Sequence, residues 1–226
     1  MNNFKDYIEP GVVVWANRNI FYDQPDKIIT DKINMFLVLK KDDNSFYGCK
    51  LDKNPVDGTS NVLRKKFYPL KYDSRVSADI YKIDFDSIAN TCTFKVTEGT
   101  LSNIKRNIYK RIVLGYNQGP IEYQEEFVKD YIKEHRPETD NIIAYATNEK
   151  KYQYFYIYEN EDEYYSLIKL KREGINYFSL ESSNEVLMPK TIPYFDYYTS
   201  HNLTRDNVDK YLFGNKEKKL GNIINK

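Results

Sequence analysis

One strand–turn–strand pattern occurs twice in this chain, and it constrains the fold more than any other feature of the sequence. Residues 32–51 ("KINMFLVLKKDDNSFYGCKL") align without gaps with residues 151–170 ("KYQYFYIYENEDEYYSLIKL"), and a Lys, a Phe, an Asp, a Lys and a Leu coincide. In both segments, apolar or aromatic runs flank a polar, acidic stretch, and such runs favour β-strands. The sequence therefore predicts two β-hairpins, each with an acidic turn.

The segments that flank the two hairpins also match in the same order. They are 13–17 ("VVWAN") with 143–147 ("IAYAT"), and 100–112 ("TLSNIKRNIYKRI") with 202–213 ("NLTRDNVDKYLF"). In each segment of the second pair, a Leu precedes a residue whose hydroxyl suits a helix N-cap: Ser102 in the first segment and Thr204 in the second. Apolar residues follow at helical spacing in both. Two interpretations stay open: one unit occurs in tandem, or a common arrangement recurs by chance.

The remaining segments complete a mainly β fold with some α structure, an α+β class. Residues 81–88 and 91–99 read as two more strands separated by Ala89 and Asn90, and Gly115 ends the helix that Ser102 begins. A second, more charged helix follows Pro120. Several short strands with few helices predict small, curled, mostly antiparallel sheets or barrels. We predict a β-barrel domain at 1–118, a helical connector at 119–139 and a second β-rich domain at 140–226.

Composition excludes several classes of function. Among 226 residues there are two Cys and two His, with no metal-binding spacing, and the net charge of +1 gives no global basic field. There is no glycine-rich phosphate loop, G-x-S-x-G or H-E-x-x-H motif. We therefore expect neither a metal nor a cofactor. The start of the chain lacks a signal-peptide pattern and no run of about 18 apolar residues occurs, so we expect a cytoplasmic protein with no membrane partner.

Residues 10–115 have a distinctive order of features. Gly11 opens an apolar strand that ends in Trp15 ("PGVVVWANR"), residues 73–88 ("DSRVSADIYKIDFDSI") form a later strand, and a Gly-containing turn leads into a helix at 98–112. This order resembles the MazF/PemK toxin family. The resemblance implies a small SH3-like barrel, duplicated if the repeat is real, that cuts single-stranded RNA without a metal. It also implies an antitoxin partner and a dimer, or an intrachain pseudo-dimer of the two copies.

The chain departs from the family where the chemistry would lie. Asn34-Met35 stands in place of Arg-Pro, and Asp52-Lys53 in place of Thr-Ser. Attack of a ribose 2′-OH on the adjacent phosphate needs a proton acceptor, a proton donor and positive charge near the phosphoryl oxygens. We predict that lysines bind the phosphate and that Asp52 or Ser77 transfers the proton; the alternative is that these are solvated charges at strand ends. The candidate catalytic residues are Lys32, Lys50, Asp52, Lys53 and Ser77.

A basic segment follows the first hairpin. Tyrosines are interspersed among its cations, and cations on phosphates with rings on bases are the usual means of binding single-stranded nucleic acid. An ordinary solvated loop is the alternative. The candidate RNA-binding residues are Arg64, Lys65, Lys66 and Arg75.

The second hairpin is rich in tyrosine and offers a different function. Its first strand alternates Tyr with other residues, so the tyrosines share one face. If that face is exposed, with the acidic turn beside it, it suits a protein partner; otherwise the row faces the core. The second candidate function is thus a non-enzymatic, phage- or plasmid-encoded protein that binds and inhibits a host protein. This tyrosine row consists of Tyr152, Tyr154, Tyr156 and Tyr158.

Overall fold

A computed structural model of the protein describes residues 4–16, 33–53, 61–116, 121–147 and 151–213. The chain divides into two compact units, Met1–Tyr131 (unit 1) and Ile132–Lys226 (unit 2). Each unit contains one antiparallel sheet, and helices accompany both sheets. The predicted α+β class, mainly β, is confirmed. Lys32 and the other residues outside the described ranges are not placed.

Unit 1 begins with a 3₁₀ helix, Phe4–Tyr7, and builds its sheet in the order β4-β5-β3-β2-β1-β6. Two α-helices follow the sheet. The elements are β1 (Val12–Ala16), β2 (Asn34–Lys41), β3 (Ser45–Asp52), β4 (Asn61–Leu63), β5 (Ser74–Asp84), β6 (Ile88–Lys95), α1 (Glu98–Val113) and α2 (Ile121–Glu134).

Both faces of this sheet are apolar, because consecutive residues of a strand point to opposite faces and the strands carry apolar side chains at both sets of positions. One face packs against α1 through Ile104 and Ile108, and the other packs against Ile8 of the first turn. We call the first the helix face and the second the open face. The helix face includes Val13, Leu37, Cys49, Leu51, Val76 and Ile80, and the open face includes Val14, Phe36, Val38, Phe46 and Ile83.

The helix predicted as a connector is observed, and polar contacts fix most of it to unit 1. Lys40 Nζ on β2 lies 2.9 Å from Glu126 Oε1 and 2.6 Å from Asp130 Oδ2 of α2. The Tyr47 hydroxyl donates to Glu126 Oε2 at 3.0 Å. These two carboxylates raise the pKa of Lys40, because they stabilise its charged form. The boundary between the units falls inside α2, after Tyr131.

Two local predictions for unit 1 are wrong. The break between β5 and β6 is a 3₁₀ turn at Phe85–Ser87, so Ala89 and Asn90 lie within β6. The N-cap of α1 is Thr97, whose side chain accepts a hydrogen bond from the Thr100 N–H at 3.2 Å, and Ser102 lies inside the helix. Thr97 is favoured because its backbone is still extended, as an N-cap requires.

Unit 2 has a sheet in the order β10-β9-β8-β7-β11, followed by helix α3 at 205–213. Val208 and Leu212 of α3 pack on a face that contains Ile142, Tyr156 and Ile168. The predicted cap Thr204 precedes α3, and its Oγ1 accepts a hydrogen bond from the Asn207 N–H at 3.4 Å. The strands are β7 (Ile142–Ala146), β8 (Tyr152–Asn160), β9 (Tyr164–Gly174), β10 (Tyr177–Pro189) and β11 (Asp196–Tyr198).

The two hairpins have the same register. When Met35 is aligned with Tyr154, as in the gapless alignment, every β2–β3 pair has its counterpart among the β8–β9 pairs. Both hairpins also carry a register shift at the same place, between Val38 and Lys40 and between Ile157 and Glu159. The strand order is shared as well, except that no counterpart of β4 occurs among the described residues of unit 2.

The match of the opening strands is shifted by one residue relative to the sequence alignment. Val13 pairs with Leu37, and Ile142 pairs with Tyr156, which is the counterpart of Leu37. Val13 therefore corresponds to Ile142, and the alignment of Val13 with Ile143 is wrong. The physical reason is that a shift of one residue moves a side chain to the other face of the sheet, and both Val13 and Ile142 must face a helix.

We expect Gly48→Ala to destabilise unit 1. A Cβ at Gly48 would lie 2.9 Å from the Leu37 carbonyl oxygen and 2.9 Å from the Phe46 ring, so the hairpin would have to move. Overpacking of this kind costs about 1–3 kcal/mol of the free energy of unfolding. Trp15, the one tryptophan of the chain, lies on β1 and reports on unit 1 by its fluorescence during denaturant unfolding.

The matched control is Gly99→Ala in the first turn of α1, where a Cβ meets nothing within 4 Å. Ala is preferred to Gly in a helix by up to about 1 kcal/mol, so this variant should be as stable as the wild type or more stable. Equal stability of Gly48→Ala and wild type would contradict the close packing of the β2–β3 hairpin.

Candidate functional site

The pairing of β3 with β5 brings several of the sequence-predicted residues together. Lys50 lies between the pairs Cys49↔Ile80 and Leu51↔Val76, so one residue of β3 faces three residues of β5, Ser77–Asp79. Such β-bulges are over-represented next to active sites, because they redirect side chains. Asp52, two residues further along β3, is the partner of Arg75. We call the five polar residues at this bulge the charged cluster: Lys50, Asp52, Arg75, Ser77 and Asp79.

The charged cluster lies on the open face of the unit 1 sheet. Along β5, Val76, Ala78 and Ile80 are buried on the helix face, and the residues between them are half-buried. Leu51 on β3 also packs on the helix face, so Lys50 and Asp52 on either side of it face the other way. All five members of the cluster therefore share one side of the sheet.

Two short-range interactions organise the cluster. Lys50 Nζ lies 2.7 Å from Asp52 Oδ1, and both side chains are 34% exposed. The Ser77 hydroxyl donates to Asp79 Oδ2 at 3.3 Å and accepts the Asp79 N–H at 3.1 Å, which closes a small turn within the bulge. The arrangement holds two cations, two carboxylates and a hydroxyl together at half-buried positions.

Asp79 is a member that the sequence did not predict. In the sequence it is one more polar residue, two positions after Ser77. Its place opposite Lys50 depends on the bulge, and the bulge depends on how β3 and β5 pair. The alternation of Ser77 and Asp79 in "SAD" was the one available signal.

Three of the four predicted RNA-binding residues, Arg64, Lys65 and Lys66, lie in a loop, 64–73, which we call the basic loop. Asp73 closes it: its carboxylate accepts the Lys65 N–H at 2.9 Å and the Arg64 guanidinium at 3.1 Å. The Lys65 N–H has the larger effect on the pKa of Asp73 and the Arg64 guanidinium the smaller one. Both lower this pKa, because they stabilise the charged form of the carboxylate. Arg64 is thus paired in this structure, whereas Arg75 belongs to the charged cluster.

Exposed aromatic rings accompany the lysines of this region. Lys66 Nζ lies 4.6 Å from the centre of the Phe67 ring, and Lys53 Nζ lies 4.1 Å from that of Tyr72. Phe67 is 71% exposed and Tyr72 is 44% exposed. Lysine over a ring at these distances is a cation–π contact. The basic loop therefore presents flat rings and positive charges side by side.

The tyrosine row of unit 2 is not the exposed surface that a partner would need. Tyr156 and Tyr158 are buried in the core beneath α3, and Tyr154 packs partly against the same core. Tyr152 is the exposed member, stacked on Phe195 with ring centres 4.6 Å apart. Of the two alternatives for this row, the core-facing one holds for Tyr156 and Tyr158, because α3 covers that face of β8.

The buried phenols are satisfied by a charged network around Arg205. Tyr156 donates to Asp140 Oδ1 at 2.6 Å and Tyr158 to Asp209 Oδ1 at 2.8 Å. The Arg205 guanidinium lies 3.7 Å from the centre of the Tyr158 ring and close to both carboxylates. Burial, followed by the hydrogen bond to Asp140, raises the pKa of Tyr156. We interpret this network as structural.

Comparison with known proteins gives no family assignment. The chain matches no protein-family model and no curated protein sequence. Within the described ranges, no group of three or more His, Cys, Asp or Glu side chains is arranged to hold a metal ion. None of the helices in those ranges combines the length and apolarity needed to cross a membrane. The resemblance to the MazF/PemK family stays a prediction.

We expect Tyr156→Ala to destabilise unit 2 strongly. It removes a buried ring from the core beneath α3 and leaves Asp140 without its phenol, and loss of a large aromatic side chain costs about 3–5 kcal/mol. Tyr152→Ala, in the same row but exposed, should cost about 1 kcal/mol or less, the value of one aromatic pair. Thermal unfolding followed by circular dichroism measures both. A Tyr156→Ala protein as stable as Tyr152→Ala would contradict the burial of the row.

Proposed function

We propose that this protein is a toxin-like RNA-binding protein and that unit 1 is an SH3-like barrel of the MazF/PemK type with endoribonuclease activity at the charged cluster. The observation that supports this most is the bulge opposite Lys50. It collects two cations, two carboxylates and a hydroxyl on one face, from residues that are separated along the sequence. These groups can bind a phosphate and move protons, although the arginine-proline and threonine-serine pairs of the family are missing.

Each group in the cluster has a role in this chemistry. The ribose 2′-oxygen attacks the adjacent phosphorus, a 2′-O–P bond forms and the P–O5′ bond breaks. Asp52 takes the proton of the 2′-OH, and the Lys50 ammonium gives a proton to the leaving 5′-oxygen. The Arg75 guanidinium, partner of Asp52 across the strands, holds two phosphoryl oxygens with its fork. The products are a 2′,3′-cyclic phosphate and a 5′-hydroxyl, and no co-reactant is consumed.

The basic loop would guide the RNA to the cluster. Phe67 and Tyr72 are exposed rings with lysines over them, and bases of any sequence stack on such rings while lysines bind the backbone. Lys53 links the two regions, since it directly follows β3 and lies over Tyr72. This arrangement explains how a chain of net charge +1 could bind a polyanion: the positive charge is local.

The same register in both hairpins, with the same register shift, supports a second part of this proposal. The two units would be copies of one barrel. The described residues of unit 2 contain no counterpart of β4. The competing function, capture of a host protein by the tyrosine row, has less support because Tyr156 and Tyr158 lie in the core. The acidic turn after β8 is exposed and would have to act without them.

Cleavage of long single-stranded RNA in the presence of EDTA tests the proposal. We expect discrete cuts by the wild type, and a loss of at least about a hundredfold in rate for Asp52→Asn and for Lys50→Ala, since each removes a proton-transfer group. Lys95→Ala is the matched control. Lys95 also lies on a strand in an ion pair, 3.1 Å from Glu9, but on β6 at the other edge of the sheet from β4 and β5.

The outcomes separate the parts of the proposal. Equal cutting by wild type and Asp52→Asn would place the active site elsewhere. Intact RNA with binding that weakens steeply as salt rises would leave an RNA-binding protein without nuclease activity. Intact RNA with no binding at low salt would overturn the RNA function altogether.

The basic loop gives a separate prediction for binding. Phe67→Ala and Tyr72→Ala should each weaken binding of a non-cleavable 2′-O-methyl RNA by about 1–3 kcal/mol, the value of one stacked base. Fluorescence anisotropy of a labelled RNA measures the affinity. Tyr7→Ala is the control, because Tyr7 is 70% exposed but lies in the first 3₁₀ helix. If Phe67→Ala and Tyr72→Ala bind this RNA as tightly as Tyr7→Ala and the wild type do, stacking on the basic loop is excluded.

A further inference from the structure

Unit 2 has a bulge at the same place as unit 1. Lys169 is the counterpart of Lys50 in the shared register, and it lies between the pairs Ile168↔Glu185 and Leu170↔Leu180. One residue of β9 therefore faces four residues of β10, Glu181–Asn184. In both units the lysine follows a residue that packs on the helix-covered face, Cys49 or Ile168, and thus lies on the other side of its sheet.

The two bulges also contain the same small turn. In unit 2 the Asn184 N–H donates to Ser182 Oγ at 3.1 Å, and in unit 1 the Asp79 N–H donates to Ser77 Oγ at 3.1 Å. Each turn places a serine hydroxyl on the strand opposite the lysine. The gapless alignment did not include these residues, so the turn is an independent point of likeness between the units.

The differences between the two bulges concern the carboxylates. The counterpart of Asp52 is Lys171, and the counterpart of Asp79 in the small turn is Asn184. An ammonium and an amide group are not proton acceptors in the way a carboxylate is. Unit 2 keeps the lysine and the serine, and it gains a second lysine where unit 1 has its proposed base.

Each of these two lysines has a carboxylate as its partner. Lys169 Nζ lies 3.2 Å from Glu181 Oε1, and Lys171 Nζ lies 3.2 Å from Glu173 Oε1. The Ser179 hydroxyl also donates to Glu173 at 2.8 Å, and this bond together with Lys171 lowers the pKa of Glu173. Glu181 and Glu173 are therefore the ion partners of Lys169 and Lys171, and the position of the proposed base Asp52 is itself held by a lysine.

We infer that unit 2 carries a second site for the phosphates of single-stranded RNA, built on Lys169, Lys171 and the Ser182 turn, and that this site binds RNA without cutting it. The inference rests on the proposed function of unit 1. Both lysines are accessible, since their side chains are 39% and 67% exposed. Two tethered sites bind one long strand more tightly than either site binds alone, because the second contact becomes intramolecular.

The test compares short and long non-cleavable RNA on the full-length protein. The short 2′-O-methyl RNA has about six nucleotides, enough for one site, and the long one can reach both. We expect Lys169→Ala/Lys171→Ala to lower the affinity for long RNA at least about tenfold and to change the affinity for short RNA much less. Lys190→Ala/Lys210→Ala is the matched control, since it removes the same charge from unit 2 outside the bulge.

A second variant guards against misfolding of the first. Glu181→Gln removes the acid that pairs with Lys169, and should raise the affinity for long RNA severalfold with unit 2 intact. Unchanged affinity for long RNA in both the Glu181→Gln and the Lys169→Ala/Lys171→Ala proteins, while Lys50→Ala weakens it, would overturn the second site and leave the function of unit 1 standing. A wild type that binds neither RNA would overturn both.

The absence of cutting by unit 2 has its own readout. An Asp52→Asn protein retains the whole unit 2 bulge, and we expect it to leave long RNA intact. Cuts that persist in Asp52→Asn and disappear on addition of Glu181→Gln would show a second nuclease centre, and would overturn the inference that this site only binds.

Discussion

The antiparallel pairing of β3 with β5 decides where polar chemistry can lie in unit 1. Both strands alternate between the helix face and the open face, so a residue's side is fixed once the register is fixed. The bulge adds residues to β5 without changing the face on which its apolar side chains lie: Val76, Ala78 and Ile80 all stay on the helix face. The polar residues between them are thereby directed to the open face, opposite Lys50. Core packing and site geometry are two consequences of one register.

The sequence is most informative where a pattern has a single structural solution. The first hairpin could be predicted because apolar runs flank a stretch of charged residues, and it is observed at Asn34–Lys41 and Ser45–Asp52. The gapless match to the second hairpin extends to the paired residues and to the register shift. It fails by one residue at the opening strand, because "VVVWA" and "IIAYA" are apolar throughout and carry no alternation that could fix their faces.

Features that depend on a second segment could not be predicted. Thr97 and Ser102 are both reasonable N-caps, and the choice depends on where β6 ends and the chain turns. The tyrosine row is ambiguous for a similar reason, since β8 has bulky residues on both faces. Its burial depends on α3 and on Arg205, which are some fifty residues away along the chain; the Tyr158–Asp209 bond spans 51 positions. Asp79 joins the cluster through a bulge that only the pairing with β3 reveals.

Acidic partners on the proposed phosphate-binding lysines are compatible with RNA binding, because of the magnitudes involved. Lys50 and Asp52 are about one-third exposed, and ion pairs of this exposure contribute about 0–1 kcal/mol. Breaking or sharing such an ion pair therefore costs little free energy when a phosphate binds. Neutralising each backbone phosphate, by contrast, releases counterions and strengthens binding at low salt. The acid can then serve a different purpose, which is to hold the lysine in place before RNA arrives. In our proposal the acid of unit 1, Asp52, also takes the proton of the 2′-OH. In unit 2 a lysine occupies its position, and for that reason we infer that unit 2 binds RNA without cutting it.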